Sequence, residues 1–258
     1  MEPRKLAGSG LAFNAADRGV GSDMLPRGVP QIITWNRGIY WRDMSSPSAP
    51  RIALRPRPRD ARATRTRLVR AALELFSSQG FRATTTPEIA QRAGVAEATI
   101  YRHFPGKDAL LNAACLEAFG WGRALVLESA SAPGADAKVV LGAVGTQLVL
   151  RAAADAALVR MLLRPPEEPL HEERTRQALR DFRDVLQQVV AAGKQRGRIR
   201  PGSAELWAAV WLALAGFVVE RVAAGEWSAD HPNVELALEA AWEAIAYRTP
   251  DAAPVTVV

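Results

Sequence analysis

The chain has 258 residues, of which 48% are hydrophobic and 23% charged, and its formal net charge is +6. It is long enough to bury a sizeable core in one or two domains. The single cysteine, Cys115, excludes an intramolecular disulfide and is typical of a cytoplasmic protein; a redox sensor is the alternative to a small buried thiol. His103, His171 and His231 lie too far apart in sequence to pair on a helix, so we expect no metal centre and no cofactor.

Residues 1–55 show scattered glycine and proline and no sustained apolar period. We expect little fixed structure there, and the Ser/Pro-rich segment beginning at Met44 resembles a natural start, so translation could begin later than Met1. The alternative is an ordered extension that uses the aromatic residues Trp35, Tyr40 and Trp41. The arginines from Arg51 onward form either a solvated tail or an arm that reaches phosphates or a minor groove.

Positive charge is concentrated in residues 51–110, which contain 12 Lys and Arg but only 5 Asp and Glu. Residues 111–258 contain 15 Lys and Arg and 18 Asp and Glu. This distribution is expected when one module neutralises phosphates and the remainder has another task. The basic module is therefore the candidate for nucleic-acid binding.

Within the basic module, local signals predict a helix-turn-helix. Thr85 with Glu88 has capping-box spacing, and Pro87 falls in the first turn of the helix that follows. Gly94 lies where the chain must turn, since glycine adopts the left-handed conformation that ends helices. We predict helices at 62–79, 86–93 and 97–103.

The helix at 97–103 has two distinct faces. Ile100 and Phe104 share the apolar one, and the opposite face presents Ala98, Thr99 and Arg102. A small residue, a hydroxyl and an arginine suit a major groove, where arginine binds guanine and threonine contacts the thymine methyl. We therefore predict that Thr99 and Arg102 read bases.

The stretch from Arg65 to Leu111 resembles the DNA-binding domain of the TetR family of transcriptional regulators. The resemblance rests on a first helix that ends in a Gly-Phe turn (Phe76, Gly80, Phe81), then T-T-x-x-I-A, A-G-V, T-I-Y-x-x-F and K-x-x-L-L. It implies an all-α fold, with three DNA-binding helices followed by a larger helical effector-binding and dimerisation domain. The candidate DNA-binding residues are Thr85, Thr86, Ala98, Thr99, Tyr101, Arg102, His103 and Lys107, of which Thr85, Tyr101, His103 and Lys107 are expected mainly to position phosphates.

Two residues depart from the family pattern, in which the residue before the recognition helix (here 97–103) is usually serine and the next is often basic. Here Ala96 and Glu97 occupy these positions. The helix start is less well capped, and Glu97 either repels phosphate, favours the positive end of the helix dipole, or accepts from a cytosine amine.

After Leu111 nearly everything reads as helix, with proline marking the breaks. The predicted segments are 107–130, 136–154, 156–163, 171–196, 203–223 and 233–248. The predicted domains are residues 56–106 for DNA binding and 107–249 for effector binding and dimerisation, with a flexible tail at 250–258. The longest apolar run, Leu206 to Val219, has 14 residues, fewer than the roughly 20 needed to span a bilayer, so we expect a soluble protein that uses no membrane.

Apolar residues of the C-terminal domain are candidates for an effector pocket: Trp121, Leu125, Leu148, Met161, Leu162, Phe182, Trp207 and Trp211. Each equally suits an ordinary core, because apolar stripes at helical spacing usually reflect packing. The effector itself is not encoded in this pattern.

Helix 203–223 carries more than one apolar face. Leu212, Ala215, Val219 and Val222 trace one stripe, while Trp207 and Trp211 stack on another; Gly216 allows close approach. We predict a homodimer through helices 203–223 and 233–248, with a larger monomer core as the alternative.

Three classes of function remain: a ligand-responsive DNA-binding regulator, a small helical enzyme, and a helical interaction module. The enzyme lacks a Ser/His/Asp spacing, a phosphate loop and a carboxylate pair on an apolar face. The concentrated basic charge argues against an interaction module. We therefore expect a cytoplasmic regulator that is not an enzyme, most simply a repressor, the commoner outcome in the family it resembles, released from a palindromic operator by a small molecule.

Overall fold

The computed structural model describes residues 32–35, 38–41, 58–166 and 170–248. The chain divides into two units, residues 1–55 and 56–258. In the first, strands β1 (Ile32–Trp35) and β2 (Gly38–Trp41) pair antiparallel, with Ile32 opposite Trp41. These strands are not evident from the sequence, because two four-residue strands rich in β-branched and aromatic residues are too short to show a sustained period. The predicted arginine-rich arm at 51–57 and the tail at 250–258 lie outside the described residues.

The described part of the second unit is helical, which confirms the predicted all-α fold class. The helices are α1 (Pro58–Gln79), α2 (Thr86–Ala93), α3 (Glu97–His103), α4 (Lys107–Ala130), α5 (Ala137–Ala154), α6 (Ala156–Leu163), α7 (Glu173–Gln195), α8 (Ala204–Ala223) and α9 (Pro232–Glu243). The bounds of α2, α3, α4 and α6 coincide with the predicted segments. Side-chain oxygens cap the starts of α5, α6 and α8, at Asp136, Asp155 and Ser203.

The last helix ends earlier than the predicted 248. After Glu243 the chain turns, and Ile199 and Ala246 form an isolated antiparallel bridge. Arg200 N donates to Ile245 O at 3.0 Å, and Tyr247 N donates to Arg198 O at 2.9 Å. These hydrogen bonds satisfy backbone groups that a longer helix would have satisfied internally. They pair segments that are distant in sequence, so the periodicity within one helix does not predict them.

One apolar core runs through the second unit, with α4 at its centre. Helix α4 packs against α1 of the helix-turn-helix domain and also against α5, α6 and α7. Its buried residues include Leu110, Leu111 and Phe119, all with no exposed surface. Because α1 also packs on α6, the N-terminal domain rests on two helices of the larger domain.

By length and composition alone, α4, α5 and α8 are each long and apolar enough to cross a membrane, with mean hydropathies of 1.2, 1.3 and 1.7. The 14-residue run from Leu206 to Val219 underestimates the apolar length of α8, because the helix extends beyond that run on both sides. In the fold, α4 and α5 are core helices. Only 33% of the apolar window of α8 is buried, so this helix exposes an apolar face.

Candidate DNA interface

The helix-turn-helix forms as its local signals predict. Thr85 caps α2, and Glu88 reaches back to complete the capping box, with its Oε2 accepting from Thr85 N at 2.7 Å and from the Thr85 hydroxyl at 2.8 Å. These bonds lower the pKa of Glu88. Gly94 ends α2 with φ +66°, and its N–H bonds back to Ala90 O and Gln91 O. The turn thereby fixes the direction in which α3 leaves.

Helix α3 buries one face and exposes the other. Ile100 and the C-cap residue Phe104 are 0% and 4% exposed. Of the predicted base-reading face, Ala98 and Arg102 are exposed and Thr99 is half-buried. Within residues 58–166 and 170–248, Arg102 has no hydrogen-bond or ion-pair partner, so its guanidinium is available to a ligand.

The predicted phosphate-positioning residues flank this face. Tyr101 is 55% exposed, Thr85 is exposed at the start of α2, and His103 is half-buried at the end of α3. Thr86 Oγ1 donates to Glu97 Oε1 at 3.1 Å and lies 3.4 Å from the Tyr101 hydroxyl. Thr86 therefore ties the start of α2 to the recognition helix.

The hydrogen bond from Thr86 bears on the three alternative roles of Glu97, which were repelling phosphate, favouring the helix dipole and accepting from a cytosine amine. Ala96 provides no side-chain cap, as expected, and the carboxylate of Glu97 lies in the first turn of α3. There it both accepts from the Thr86 hydroxyl and meets the positive end of the helix dipole. An intramolecular role for Glu97 is thus present without DNA.

Lys107 begins α4 as predicted, and its side chain makes contacts that the sequence did not indicate. Its Nζ donates to Phe81 O and Thr84 O, both at 2.9 Å, and lies 4.2 Å from the centre of the Phe81 ring. An ammonium has three donors, so one remains for a phosphate. The side chain first of all holds the α1–α2 connection against the start of α4.

We expect Lys107→Met to lower the free energy of unfolding by about 1–3 kcal/mol, because two backbone carbonyls lose their donor. Urea denaturation would measure this, with Lys138→Met as control: Lys138 forms a half-exposed ion pair with Glu239, whose loss is expected to cost less than about 1 kcal/mol. Equal stability of the two variants would contradict the structural role. If Lys107 also neutralises a phosphate, its variant will flatten the salt dependence of DNA binding by about one unit.

Two arginines of the basic run have structural partners. The guanidinium of Arg65 lies 4.7 Å from the centre of the Phe104 ring, and Arg67 Nη1 donates to Ala93 O at 3.3 Å. Both contacts join α1 to the C-terminal ends of the two shorter helices. These two arginines of the basic run thus hold the three-helix domain together.

A chain of ion pairs connects this domain to the larger one. Arg92 of α2 binds Glu74 of α1 at 2.6 Å, Glu74 binds Arg70 at 2.9 Å, and Arg70 binds Asp155 at 2.5 Å. Asp155 also accepts from Arg151 and caps α6. Burial tends to raise the pKa of Asp155 and of Glu74, but the hydrogen bonds from their arginine partners outweigh it, so both pKa values are lowered. No local sequence pattern indicates this connection, because Arg70 and Asp155 lie 85 residues apart.

The candidate effector residues lie inside or at the edge of the larger domain's core. Leu148, Met161, Leu162, Phe182 and Trp211 are buried, and Trp121, Leu125 and Trp207 are half-buried. At the centre the packing is tight: a Cβ on Gly122 would lie 2.7 Å from Leu162 and 3.1 Å from Phe182. Trp207 instead donates to Pro201 O at 3.0 Å, at the corner before α8. A pocket among the central residues would require side chains to move.

The lone thiol is buried in that core. Cys115 is 0% exposed, and its sulfur lies 3.7 Å from Met161 Sδ and 3.8 Å from His171 Nε2. Burial raises the pKa of the Cys115 thiol to about 12, which keeps it protonated and unreactive at neutral pH. This environment favours the small apolar residue over the redox sensor. Across the described ranges, no three His, Cys, Asp or Glu side chains are grouped to hold a metal ion.

Residues 68–114 match the model of the bacterial regulatory proteins of the tetR family. The chain is 50% identical over 52 residues to the uncharacterized HTH-type transcriptional regulator YvkB of Bacillus subtilis, an alignment that covers 20% of this chain and 28% of that relative. The chain thus matches less than a third of the length of this curated relative. Proteins of the matched family are transcriptional regulators, not enzymes, as the sequence analysis expected.

Solved structures share the fold over a longer span. A TetR family transcription regulator from Marinobacter aquaeolei VT8 is similar with a TM-score of 0.62 and 24% identity, over 72% of this chain and 97% of that one. The regulator FadR from Bacillus subtilis, solved in complex with stearoyl-CoA, has a TM-score of 0.56 and 23% identity, over 70% and 98%. Both support the arrangement of an N-terminal helix-turn-helix on a larger helical domain.

Proposed function

We propose, from the premise that this chain belongs to the TetR family of bacterial transcriptional regulators by its DNA-binding domain, that it binds a palindromic operator as a homodimer and represses transcription until a small molecule releases it. The main support for sequence-specific DNA binding is the exposed outer face of α3. Among the residues that the structure describes, none pairs with Arg102, while Ile100 and Phe104 on the opposite face are buried. A recognition helix needs this combination of a fixed inner face and an unoccupied polar outer face.

The test is binding to the inverted repeat beside the gene that encodes this protein, compared with scrambled DNA of the same length. We expect Arg102→Ala to weaken specific binding by about 1–3 kcal/mol and to relax the preference for one sequence, because an arginine pair with guanine is lost. Fluorescence anisotropy on both DNAs measures the two effects.

Arg123→Ala is the matched control, because Arg123 is also an exposed arginine but lies on α4, outside the helix-turn-helix. It is expected to leave the preference for the operator unchanged. Equal losses on specific and scrambled DNA for Arg102→Ala would remove this residue from the reading set and weaken the proposal.

The exposed apolar face of α8 supports the homodimer. Leu206, Leu214 and Phe217 are 49%, 39% and 47% exposed, at spacings that place them on one side of the helix. Apolar residues exposed together in this way mark an interaction surface. A twofold dimer through this face would present two recognition helices to a palindrome.

Release by a small molecule is supported by the connection between the domains. Helix α4 begins at Lys107 beside the helix-turn-helix and reaches Trp121, the candidate effector contact, whose ring lies 5.6 Å from the guanidinium of Arg151. FadR from Bacillus subtilis, a protein of this fold, was solved in complex with stearoyl-CoA, which supports the binding of a small molecule by the fold. An effector that binds the DNA-incompetent arrangement more tightly would lower operator affinity.

A further inference from the structure

We propose that a cavity between α5, α9 and the α8–α9 connection binds a small organic cation with an apolar, aromatic body. This cavity, called the α5–α9 cavity below, has a volume of about 460 Å³, within the range of small-molecule sites. Of the eight effector candidates predicted from the sequence, Trp211 lines it and the other seven do not. The cavity is separate from the DNA-binding face of α3, and ligand binding in it does not depend on the proposed DNA binding.

The inner wall of the cavity is apolar and aromatic. Trp211 and Trp242 form part of it and are only 1% and 7% exposed, together with Leu141 and Val149 at 1% each. A ligand that enters here is removed from water against two indole rings. Indole faces attract cations as well as flat apolar groups.

The mouth of the cavity is acidic. Its charged residues are Lys138, Asp230, Glu235 and Glu239. Lys138 Nζ is paired with Glu239 at 2.8 Å, so Asp230 and Glu235 remain as the carboxylates without a cation from the cavity wall. A hydrogen bond from Ser228 lowers the pKa of Asp230 and keeps that group charged at neutral pH.

His231 is the remaining ionisable group at the mouth, and its ring is fixed. It stacks on Trp227 with 7° between the planes and 5.4 Å between the centres. Its Nδ1 accepts from Asn233 N at 3.1 Å, as the cap of α9. Asp230 and Glu235 outnumber this one fixed imidazole, which favours a positively charged ligand over an anion.

Glycines on α5 explain why space exists at this place. A Cβ on Gly145 would lie 3.0 Å from Leu238 of α9, so the two helices are in close contact there. One turn earlier, a Cβ on Gly142 would meet nothing within 4 Å, and Gly142 lines the cavity. The space beside Gly142 is therefore open. Phe217 and Leu214, the apolar face of α8 proposed for dimerisation, are not part of the lining.

The experiment uses two probes of the same shape and opposite charge, tetraphenylphosphonium and tetraphenylborate, titrated calorimetrically into the full chain. We expect tetraphenylphosphonium to bind one site per subunit, and Gly142→Leu to abolish that binding by filling the cavity. Gly120→Leu is the matched control, because a Cβ on Gly120 of α4 also meets nothing within 4 Å but lies outside the cavity. Thermal unfolding and operator binding of both variants should remain as in the unmodified protein.

The double variant Asp230→Asn, Glu235→Gln tests the charge preference and is expected to weaken tetraphenylphosphonium about threefold to tenfold. Tetraphenylborate should not bind in the α5–α9 cavity, so any binding of it should be the same in Gly142→Leu as in the unmodified protein. The proposal is overturned if tetraphenylphosphonium fails to bind, if Gly142→Leu binds it like the control, or if the borate occupies the same site equally well. None of these outcomes depends on whether the protein binds DNA.

Discussion

Leu214→Glu is expected to turn the protein into monomers and to weaken binding to the full operator by about 10²–10⁴-fold, the gain that linking two half-site contacts supplies. Leu214 is 39% exposed on the apolar face of α8. A carboxylate there would have to lose its hydration inside the interface, next to its own symmetry-related copy. Sedimentation velocity measures the assembly, and anisotropy on full and half operators measures the affinity.

Leu127→Glu is the control for this change. Leu127 is 41% exposed on α4, so the same loss of leucine and gain of charge occur at nearly equal exposure but outside α8. We expect this variant to remain dimeric and to bind the full operator normally. A dimer of unchanged affinity for Leu214→Glu would place the interface on another surface.

The choice of Leu214 depends on the structure. The sequence showed that α8 has more than one apolar face but not which one points outward. Ala215, part of a stripe noted from the sequence, is 0% exposed, and Trp211 shares the buried side with it. A charge at Ala215 would disturb the core as well as any dimer, so it could not test assembly. Burial depends on neighbouring helices, which periodicity within α8 does not contain.

The helix-turn-helix was predictable because its determinants are local. Thr85, Glu88 and Gly94 interact within one helix and its turn, and the buried Ile100 follows from spacing alone. Lys107 illustrates the limit. Its position at the start of α4 was predicted, but its contacts with Phe81 O and Thr84 O depend on how α4 meets the preceding loop.

The burial of the candidate effector residues also depends on packing between helices. Composition identified apolar side chains that are now seen to be buried, such as Phe182 and Leu148. It could not distinguish a filled core from a cavity, because that difference comes from helix separations set by residues such as Gly122 and Gly142. The α5–α9 cavity lies beside Gly142, where no neighbouring side chain fills the space, and a single sequence does not report such a gap.

Asp155→Ala is expected to lower the free energy of unfolding by about 2–3 kcal/mol, of which about 1–2 kcal/mol comes from the lost cap of α6 and about 1 kcal/mol from the ion pair. Asp155 Oδ1 accepts from Leu158 N at 3.2 Å, and Oδ2 accepts from Arg70 at 2.5 Å. The Asp155 side chain is 11% exposed, whereas that of Arg70 is 40% exposed, so the ion pair is partly screened by water and its contribution is kept small. Asp155→Asn separates the two effects, because an amide oxygen still caps the helix while the charge is lost.

The dependence on pH identifies the charge contribution. The pKa of Asp155 is lowered in the folded protein, so its stabilising contribution is complete above the pKa of the unfolded chain, about 3.9, and is lost as the pH falls through the folded value. We therefore expect Asp155→Asn to be less stable than the unmodified protein at neutral pH, and the difference to shrink as the pH falls below about 4. Urea denaturation at several pH values measures this. A difference that stayed constant with pH would show that the pair with Arg70 contributes nothing to stability, and that Asp155 acts only as the cap of α6.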